Sequence, residues 1–203
     1  MESQTPQDMH QPDIPQMEIP PPNTPQPGNN YDTYHDIPAI RQAMIDSAPG
    51  PHQGEIFEAV DMILSWMFPA DSGYWTRSEK FKEMNAITHE IFEFCTYEGS
   101  GDDRRVFLVT HCHHAVAEYE SWNHARDILG ARLGSQFGSR PEGQRTPLYG
   151  IVAMGRRVIF LRYDDESQDV ELWRPVPGGL LSMDMLNNAG EVQEVLNYIL
   201  AEH

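Results

Sequence analysis

Proline is distributed unevenly along this chain, and its distribution limits where a compact domain can form. Ten of the sixteen prolines fall within residues 1–50, together with many glutamines and asparagines and few large aliphatic residues. Such a segment cannot bury enough apolar surface to offset the entropy that is lost on ordering. We therefore predict a disordered Pro/Gln-rich tail over residues 1–50 and one folded domain over residues 51–203.

Two short patterns lie within the predicted tail. Residues 19–25 read Ile-Pro-Pro-Pro-Asn-Thr-Pro, which favours polyproline II and is typical of segments that dock in an aromatic groove. The simpler interpretation of the same run is a solvated tail. Residues 37–45 fit a short helix that either packs on the domain or frays from it.

The charge of the chain restricts its partners. The formal net charge is −17, of which −6 belongs to residues 1–50 and −11 to residues 51–203. Free nucleic acid is usually bound by a basic surface, so this balance disfavours it as a partner. A local basic patch at Arg104-Arg105 or Arg156-Arg157 stays an alternative to a plain solvated surface. The acidic domain suits a protein partner that carries a basic face.

The chain carries no pattern typical of export or membrane insertion. It has two cysteines, Cys95 and Cys112, without zinc-type spacing. No secretory signal is visible, and no apolar run approaches the ~20 residues that span a bilayer. We expect an intracellular protein of the nucleus or cytoplasm, with free thiols and no membrane segment.

Periodic apolar residues predict the main elements of the domain. Ile56, Val60, Ile63 and Met67 form one helical stripe, which Pro69 ends. Residues 78–98 are ambiguous, because they fit either a helix or, over 85–97, the first strand of a β-hairpin. We favour the hairpin, whose second strand is 106–109 extended to residue 114. The remaining predicted elements are a helix over 116–137, strands over 148–153, 158–163 and 170–173, and a last helix that opens with a capping pair of Asn188 and Glu191.

The order of these elements is helix, strands, helix, strands, helix. It predicts an α/β domain, in the broad α+β sense, with a mixed β-sheet flanked by helices.

The cluster His111-Cys112-His113-His114 is the one unusual chemical feature of the predicted domain. On a strand, His111 and His113 point to one face, and Cys112 and His114 point to the other. Two imidazoles on one face suit a divalent transition metal when a third ligand joins them, and Glu58, His89 and Glu90 are the conceivable donors. A satisfied or solvated histidine cluster is the simpler alternative.

The stretch over residues 55–163 resembles the PD-(D/E)XK nuclease-like domains of fungal proteins. Residues 149–155 with Phe160 match their pattern Tyr-Gly-Ile-Val-x-x-Gly-x-x-x-x-Phe. Residues 108–114, Leu-Val-Thr-His-Cys-His-His, fall where the family carries Leu-Val-Val-Glu-Cys-Lys-Arg. The resemblance covers about half of the chain and implies a restriction-endonuclease-like core. Its best-matching motif is structural rather than catalytic.

The same resemblance implies a degenerate catalytic site. Carried over by position, the helix acid falls on Glu58, the metal-binding Asp on Asn85, the Glu on His111 and the catalytic Lys on His113. Mg²⁺ prefers oxygen ligands, and the exchange of two carboxylates for an amide and an imidazole removes about two negative charges from its site. A neutral imidazole also lacks the permanent positive charge of lysine. Cleavage that depends on Mg²⁺ is therefore not expected.

These observations lead to two hypotheses about function. The first is a catalytically inactive nuclease-fold domain that serves as a protein-interaction or scaffolding module without a cofactor. The second is a metal-dependent nuclease in which Glu58, His111 and His113 bind Zn²⁺ or Mn²⁺. Whether the protein is an enzyme is left open, with the first hypothesis favoured. A third interpretation is an unrelated α/β interaction domain, which would gain if residues 78–97 formed one long helix.

Overall fold

The architecture was analysed in a computed structural model of the chain. The structure describes residues 31–47, 54–82, 90–101, 104–113, 119–138, 147–164, 169–174 and 181–203. Within these ranges the chain forms four α-helices and seven β-strands. The helices are α1 (Pro38–Asp46), α2 (Gly54–Met67), α3 (Tyr119–Gly138) and α4 (Ala189–Glu202). The strands are β1 (Tyr74–Lys82), β2 (Glu90–Glu98), β3 (Arg105–His113), β4 (Leu148–Met154), β5 (Arg157–Asp164), β6 (Asp169–Leu172) and β7 (Met183–Asp184).

All seven strands belong to one mixed sheet. Its order is β1-β2-β3-β4-β5-β6, and β7 pairs with β5. Neighbouring strands are antiparallel except for β3 and β4, which are parallel. A parallel pair needs a long connection, and α3 lies in the connection between these two strands. The prediction of a mixed sheet flanked by helices is confirmed.

The two faces of the sheet bury separate hydrophobic clusters. One face packs against α1, α2 and α4 in the larger cluster, which includes Phe94, Phe107 and Cys112. The other face packs against α3 in a smaller cluster, which includes Val109, Leu129 and Leu133. Because both faces of the central strands are covered, β3 and β4 are buried along nearly their whole length.

The apolar stripes that define the helices are buried as predicted. Ile56, Val60, Ile63 and Met67 on α2 are each at most 5% exposed. Gly150 on β4 lies directly under α3, since a Cβ atom added there would come within 2.9 Å of the Leu133 side chain. The stripe residues of α3 that face this strand, Leu129 and Leu133, are fully buried.

The hairpin interpretation of residues 78–98 is confirmed over the range that the structure describes. β2 and β3 are antiparallel neighbours, with Phe94 opposite Thr110. Residues 83–89, and with them the start of the predicted strand at residue 85, lie outside the described residues. Strand β1 was not predicted. It lies at the edge of the sheet, and its exposed polar residues hide the alternation that marks a half-buried strand.

The folded part of the chain begins earlier than the predicted boundary near residue 50. Tyr34, Ile40 and Met44 are buried in the larger cluster, so α1 packs on the domain. The Tyr34 hydroxyl donates a hydrogen bond to the carbonyl of Met185 at 2.8 Å, and its backbone N–H donates to Oε1 of Gln193 at 3.3 Å. These contacts attach residues 31–47 to the C-terminal part of the fold. The first thirty residues lie outside the described ranges.

The prediction that Asn188 and Glu191 form a capping pair at the start of α4 is wrong. Asn188 is the residue before the helix, but its side chain makes no capping hydrogen bond to the helix. Its Oδ1 instead accepts a hydrogen bond at 3.0 Å from the backbone N–H of Asp184. The turn after β7 therefore uses the side chain that was expected to cap the helix. The predicted apolar face of α4, with Val192, Val195, Leu196 and Ile199, is buried.

The sequence also led to expectations about the thiols and about membrane segments. Cys95 and Cys112 are free and buried. Among the described residues, no helix combines the length and the apolar character that a bilayer crossing requires.

A buried hydroxyl on β3 provides a test of this packing. Thr110 is 1% exposed, its Oγ1 has no hydrogen-bond partner among the described residues, and it lines a small cavity with Val60 and Leu196. A buried polar group without a partner destabilises the fold, so Thr110→Val should raise the free energy of unfolding by about 1 kcal/mol. Urea denaturation followed by circular dichroism measures this change.

Thr96→Val is the matched control for this prediction. Thr96 is also buried, but its hydroxyl lies 3.3 Å from that of Thr76 and can share a hydrogen bond with it. Loss of that bond should lower the free energy of unfolding by about 1 kcal/mol. Equal effects of the two substitutions would contradict the assignment of an unpaired hydroxyl at Thr110.

Candidate functional site

A buried ionic cluster joins β2, β3 and α3 on the face of the sheet that α3 covers. Glu93 on β2 lies directly opposite His111 on β3 in the antiparallel register. The two side chains are 5% and 1% exposed, and His111 Nε2 lies 2.9 Å from Glu93 Oε2. Because an ionised carboxylate only accepts hydrogen bonds, Nε2 must carry the proton and donate it.

Arg132 completes the cluster from α3. Its Nη2 donates to Oε1 of Glu93 at 2.7 Å, and its Nε donates to Oε2 of Glu93 at 3.0 Å. This is the two-pronged geometry in which a guanidinium binds a carboxylate most strongly. The Arg132 side chain is 37% exposed, so the cluster reaches the surface along the arginine alone. Both carboxylate oxygens of Glu93 are therefore engaged.

The charge of Glu93 is held in place by these partners. Burial by itself would raise the pKa of its carboxyl group. The hydrogen bonds from His111 and Arg132, together with their charges, outweigh burial and lower the pKa from 4.5 to about 2. Glu93 is thus an ionised, paired carboxylate at neutral pH.

The thiol of Cys95, which lies beside Glu93, is protonated and a poor nucleophile. Cys95 Sγ donates to Oε1 of Glu93 at 3.4 Å. Burial, followed by the negative charge of Glu93, raises the pKa of the Cys95 thiol to about 12. A thiol with this pKa is protonated at neutral pH, so Cys95 does not provide a nucleophile here.

His113 lies next to the cluster on the same face. The ring centroids of His111 and His113 are 6.0 Å apart, and His113 is half-buried near the end of β3. Cys112 points to the opposite face, into the larger cluster, where burial raises the pKa of its thiol. The predicted alternation of side chains is confirmed for residues 111–113, and His114 lies outside the described residues.

The structure separates the other predicted site residues from this pair of histidines. Glu58 is exposed on α2, which packs against the face that carries Cys112. Asn85 and His89 lie outside the described residues, as does the side chain of Glu90. Across the described ranges, no three side chains of His, Cys, Asp or Glu are grouped so that they could hold a metal ion. Where Asn85 lies relative to His111 stays a prediction.

Glu93 and Arg132, which complete the cluster, were not predicted from the sequence. Glu93 carried a signal, because it is the single acid among Ile91, Phe92, Phe94 and Cys95. An acid inside a strand that is apolar on both faces needs a buried partner. Arg132 carried no comparable signal, since arginines on helices are common and only the packing of α3 brings this one to Glu93.

The predicted basic pairs are largely engaged within the chain. Arg105 donates from Nε to Glu98 at 2.7 Å, and Arg156 forms an ion pair with Asp184 at 3.3 Å. Arg157 donates to the hydroxyl of Ser182 at 3.1 Å. Arg104 stacks over the ring of Trp75, with its guanidinium carbon 4.6 Å from the ring centroid. These arginines therefore contribute to local structure at the ends of hairpins.

Comparison of the chain with protein-family models, with curated proteins and with solved structures found no match. The resemblance to PD-(D/E)XK nuclease-like domains accordingly stays a prediction. What the structure does establish is the α+β class, the mixed sheet and the buried cluster of Glu93, His111 and Arg132.

The lowered pKa of Glu93 predicts a defined pH dependence. Its folded pKa lies below the unfolded value, so its stabilisation is present above about pH 4.5 and is lost as the pH falls toward 2. Glu93→Gln, which resembles the protonated acid, should unfold more easily than the native chain by up to about 3 kcal/mol at pH 7. The difference should shrink steadily between pH 4.5 and pH 2, as measured by urea denaturation at each pH.

Glu98→Gln serves as the control, because Glu98 pairs with Arg105 in a partly exposed position. An exposed ion pair contributes little, so this variant should differ from the native chain by less than about 1 kcal/mol at every pH. A Glu93→Gln difference that did not change with pH would show that the Glu93 carboxyl is not held ionised by its partners.

Proposed function

We propose that this chain is a non-catalytic domain of the PD-(D/E)XK nuclease-like kind that acts by binding another protein. The observation that carries the proposal is the closed cluster of Glu93, His111 and Arg132. It occupies the β2–β3 hairpin, where the resemblance implies the carboxylates of a nuclease site. Here the single buried carboxylate among the described side chains of that hairpin is already neutralised from within the chain.

The order of elements supports the family part of this proposal. The resemblance implies a first helix, a hairpin, a second helix and a strand pair, and the described chain has α2, β2–β3, α3 and β4–β5 in this order. The best-matching motif, residues 149–155, starts on β4 and reaches the turn before β5. Its strand residues are buried on both faces of the sheet, alternately against α3 and in the larger cluster, which fits a structural rather than a catalytic role.

The chemistry of the cluster supports the non-catalytic part. A Mg²⁺ ion would need free carboxylate oxygens, and both oxygens of Glu93 accept hydrogen bonds from Arg132 or His111. The fixed charge of the guanidinium would repel a cation at the same place. His111 stands where the resemblance implies a ligand for the metal, and its Nε2 is used by Glu93. Among the described residues, this arrangement leaves no open site for metal-assisted hydrolysis.

A cleavage assay tests this proposal directly. The full chain should leave single- and double-stranded DNA and RNA intact in the presence of Mg²⁺, Mn²⁺ or Zn²⁺, under conditions in which a control nuclease digests them. Mg²⁺-dependent cleavage that His111→Ala abolishes would overturn the proposal. Cleavage with Zn²⁺ or Mn²⁺ alone would instead favour the metal-dependent nuclease, and its loss in His113→Ala but not in Glu58→Gln would assign the metal to the histidine face of the sheet.

The helical layer of α1, α2 and α4 supports a basic protein as the partner. Its exposed charged residues are mostly acidic, and a single exposed arginine, Arg41, lies among those described on these helices. The exposed acids are Asp46, Glu58, Asp61, Glu191, Glu194 and Glu202. Together with the net charge of −17, this layer would attract a partner with a basic face and speed its approach.

A matched pair of charge-reversal variants tests the location of this contact. Glu191→Lys with Glu194→Lys changes the helical layer, whereas Asp127→Lys with Glu171→Lys makes the same change of net charge on α3 and β6. Fluorescence anisotropy with an arginine-rich peptide should show a larger loss of affinity for the first double variant, and the difference should fade at high salt. Equal losses in the two variants would remove the helical layer as the binding face.

A further inference from the structure

The outer edge of β1 is the longest open sheet edge in the part of the chain that the structure describes. β1 pairs with β2 along its whole length, from Tyr74 opposite Glu98 to Lys82 opposite Glu90. None of the described strands lies on its other side. The opposite edge is formed by β6, which has only four residues. An open strand of nine residues offers a row of backbone groups to another strand.

Five of the seven described side chains of β1, Trp75 and residues 77–80, are exposed. Trp75 is 41% exposed, which is unusual for a side chain of this size. The side chains of Arg77 and Glu79 are 56% and 48% exposed, and they form an ion pair with each other. Ser78 between them is also exposed. Helix α3 packs on β3 to β6 and reaches β2 through Arg132, and none of the described helices buries Trp75, Arg77 or Glu79.

The sequence of β1 is complementary to itself in the antiparallel direction. It reads Tyr-Trp-Thr-Arg-Ser-Glu-Lys-Phe-Lys from residue 74 to residue 82. If two copies pair about a two-fold axis at Ser78, Arg77 of each copy lies opposite Glu79 of the other. Thr76 lies opposite Lys80, and Trp75 lies opposite Phe81. Residues that face each other directly in an antiparallel pair share a face, so opposite charges meet twice.

From this complementarity we infer that the chain forms a symmetric dimer through β1, which extends the sheet across two copies. The two ion pairs between Arg77 and Glu79 replace the pair that each copy makes within its own strand. The pairing also supplies partners to the open backbone groups and covers Trp75. A register shifted by one residue in either copy would lose both opposite-charge contacts, and the complementarity therefore selects one register.

A dimer formed through this contact is a closed assembly. A two-fold axis perpendicular to the sheet places the same strand of both copies in contact, and no open copy of β1 remains to recruit a third chain. The helical layers of α1, α2 and α4 from both copies then lie on the same side of the extended sheet. The inference goes beyond the proposed function and does not depend on the family resemblance or on the state of the Glu93 cluster.

A charge exchange on β1 tests the dimer. The full native chain should run as a dimer in size-exclusion chromatography with light scattering, and dissociate on dilution. Arg77→Glu places an acid opposite Glu79 at both contacts across the axis, and Glu79→Arg places a base opposite Arg77 at both, so each should weaken dimerisation at least tenfold. The double variant with both substitutions restores opposite charges across the axis and should recover the dimer. Thermal unfolding monitored by circular dichroism confirms that all variants are folded.

A disulfide trap tests the register. Ser78 would lie opposite its own copy, at a Cα separation of about 4.5–5.5 Å that a disulfide can bridge. Ser78→Cys should therefore give a covalent dimer on mild oxidation. In Lys80→Cys the two introduced thiols would be about 13 Å apart, so this control should stay unlinked. The native Cys95 and Cys112 are buried and should not interfere.

Three results would overturn the inference. The first is a native chain that stays monomeric up to millimolar concentration while Ser78→Cys fails to form a covalent dimer. The second is a dimer whose stability is unchanged in Arg77→Glu, and the third is equal linkage of Ser78→Cys and Lys80→Cys, because either places the contact elsewhere. All three leave the cleavage assay unaffected, so failure of the dimer and failure of the proposed function can be told apart.

Discussion

A single buried carboxylate organises one side of this fold. Glu93 lies inside the sheet with its charge intact, which is costly unless partners replace the lost water. His111 supplies one hydrogen bond from the adjacent strand, and Arg132 supplies a two-pronged contact from α3. The helix is thereby fixed to the sheet by charge as well as by the apolar contacts of Leu129 and Leu133. Removal of either partner would leave a charge that the interior cannot accommodate.

The same interaction decides what chemistry this face of the sheet can support. A carboxylate that is fully engaged by an arginine and a histidine has no oxygen left for a cation. Burial is the main reason that the Cys95 thiol stays protonated, and the charge of Glu93 adds to this effect. The hairpin of β2 and β3 is thus used to hold α3 in place. In the proposed function, the groups that remain available for recognition lie elsewhere, on the acidic helical layer and along β1.

The elements of the domain differ in how well the sequence predicted them. Apolar periodicity depends on burial, so the helices α2 and α3 and the strands β3, β4 and β5 were evident from their patterns. β1 was missed because an edge strand is solvated on one side, and its exposed charged residues show no alternation of polarity. The boundary at residue 50 was misplaced because α1 follows a proline-rich stretch, and Tyr34 is buried only through contacts with residues about 150 positions away.

The sequence by itself determined the class of the fold, the position of most elements and the orientation of His111, His113 and Cys112. These properties follow from local periodicity, which each segment carries within its own residues. Only the tertiary structure decided that His111 binds Glu93, that Arg132 reaches the same carboxylate, and that Glu58 belongs to the opposite layer. The residues in each of these relations lie 18 to 53 positions apart in the chain. They arise from strand register and from helix packing, which no local pattern encodes.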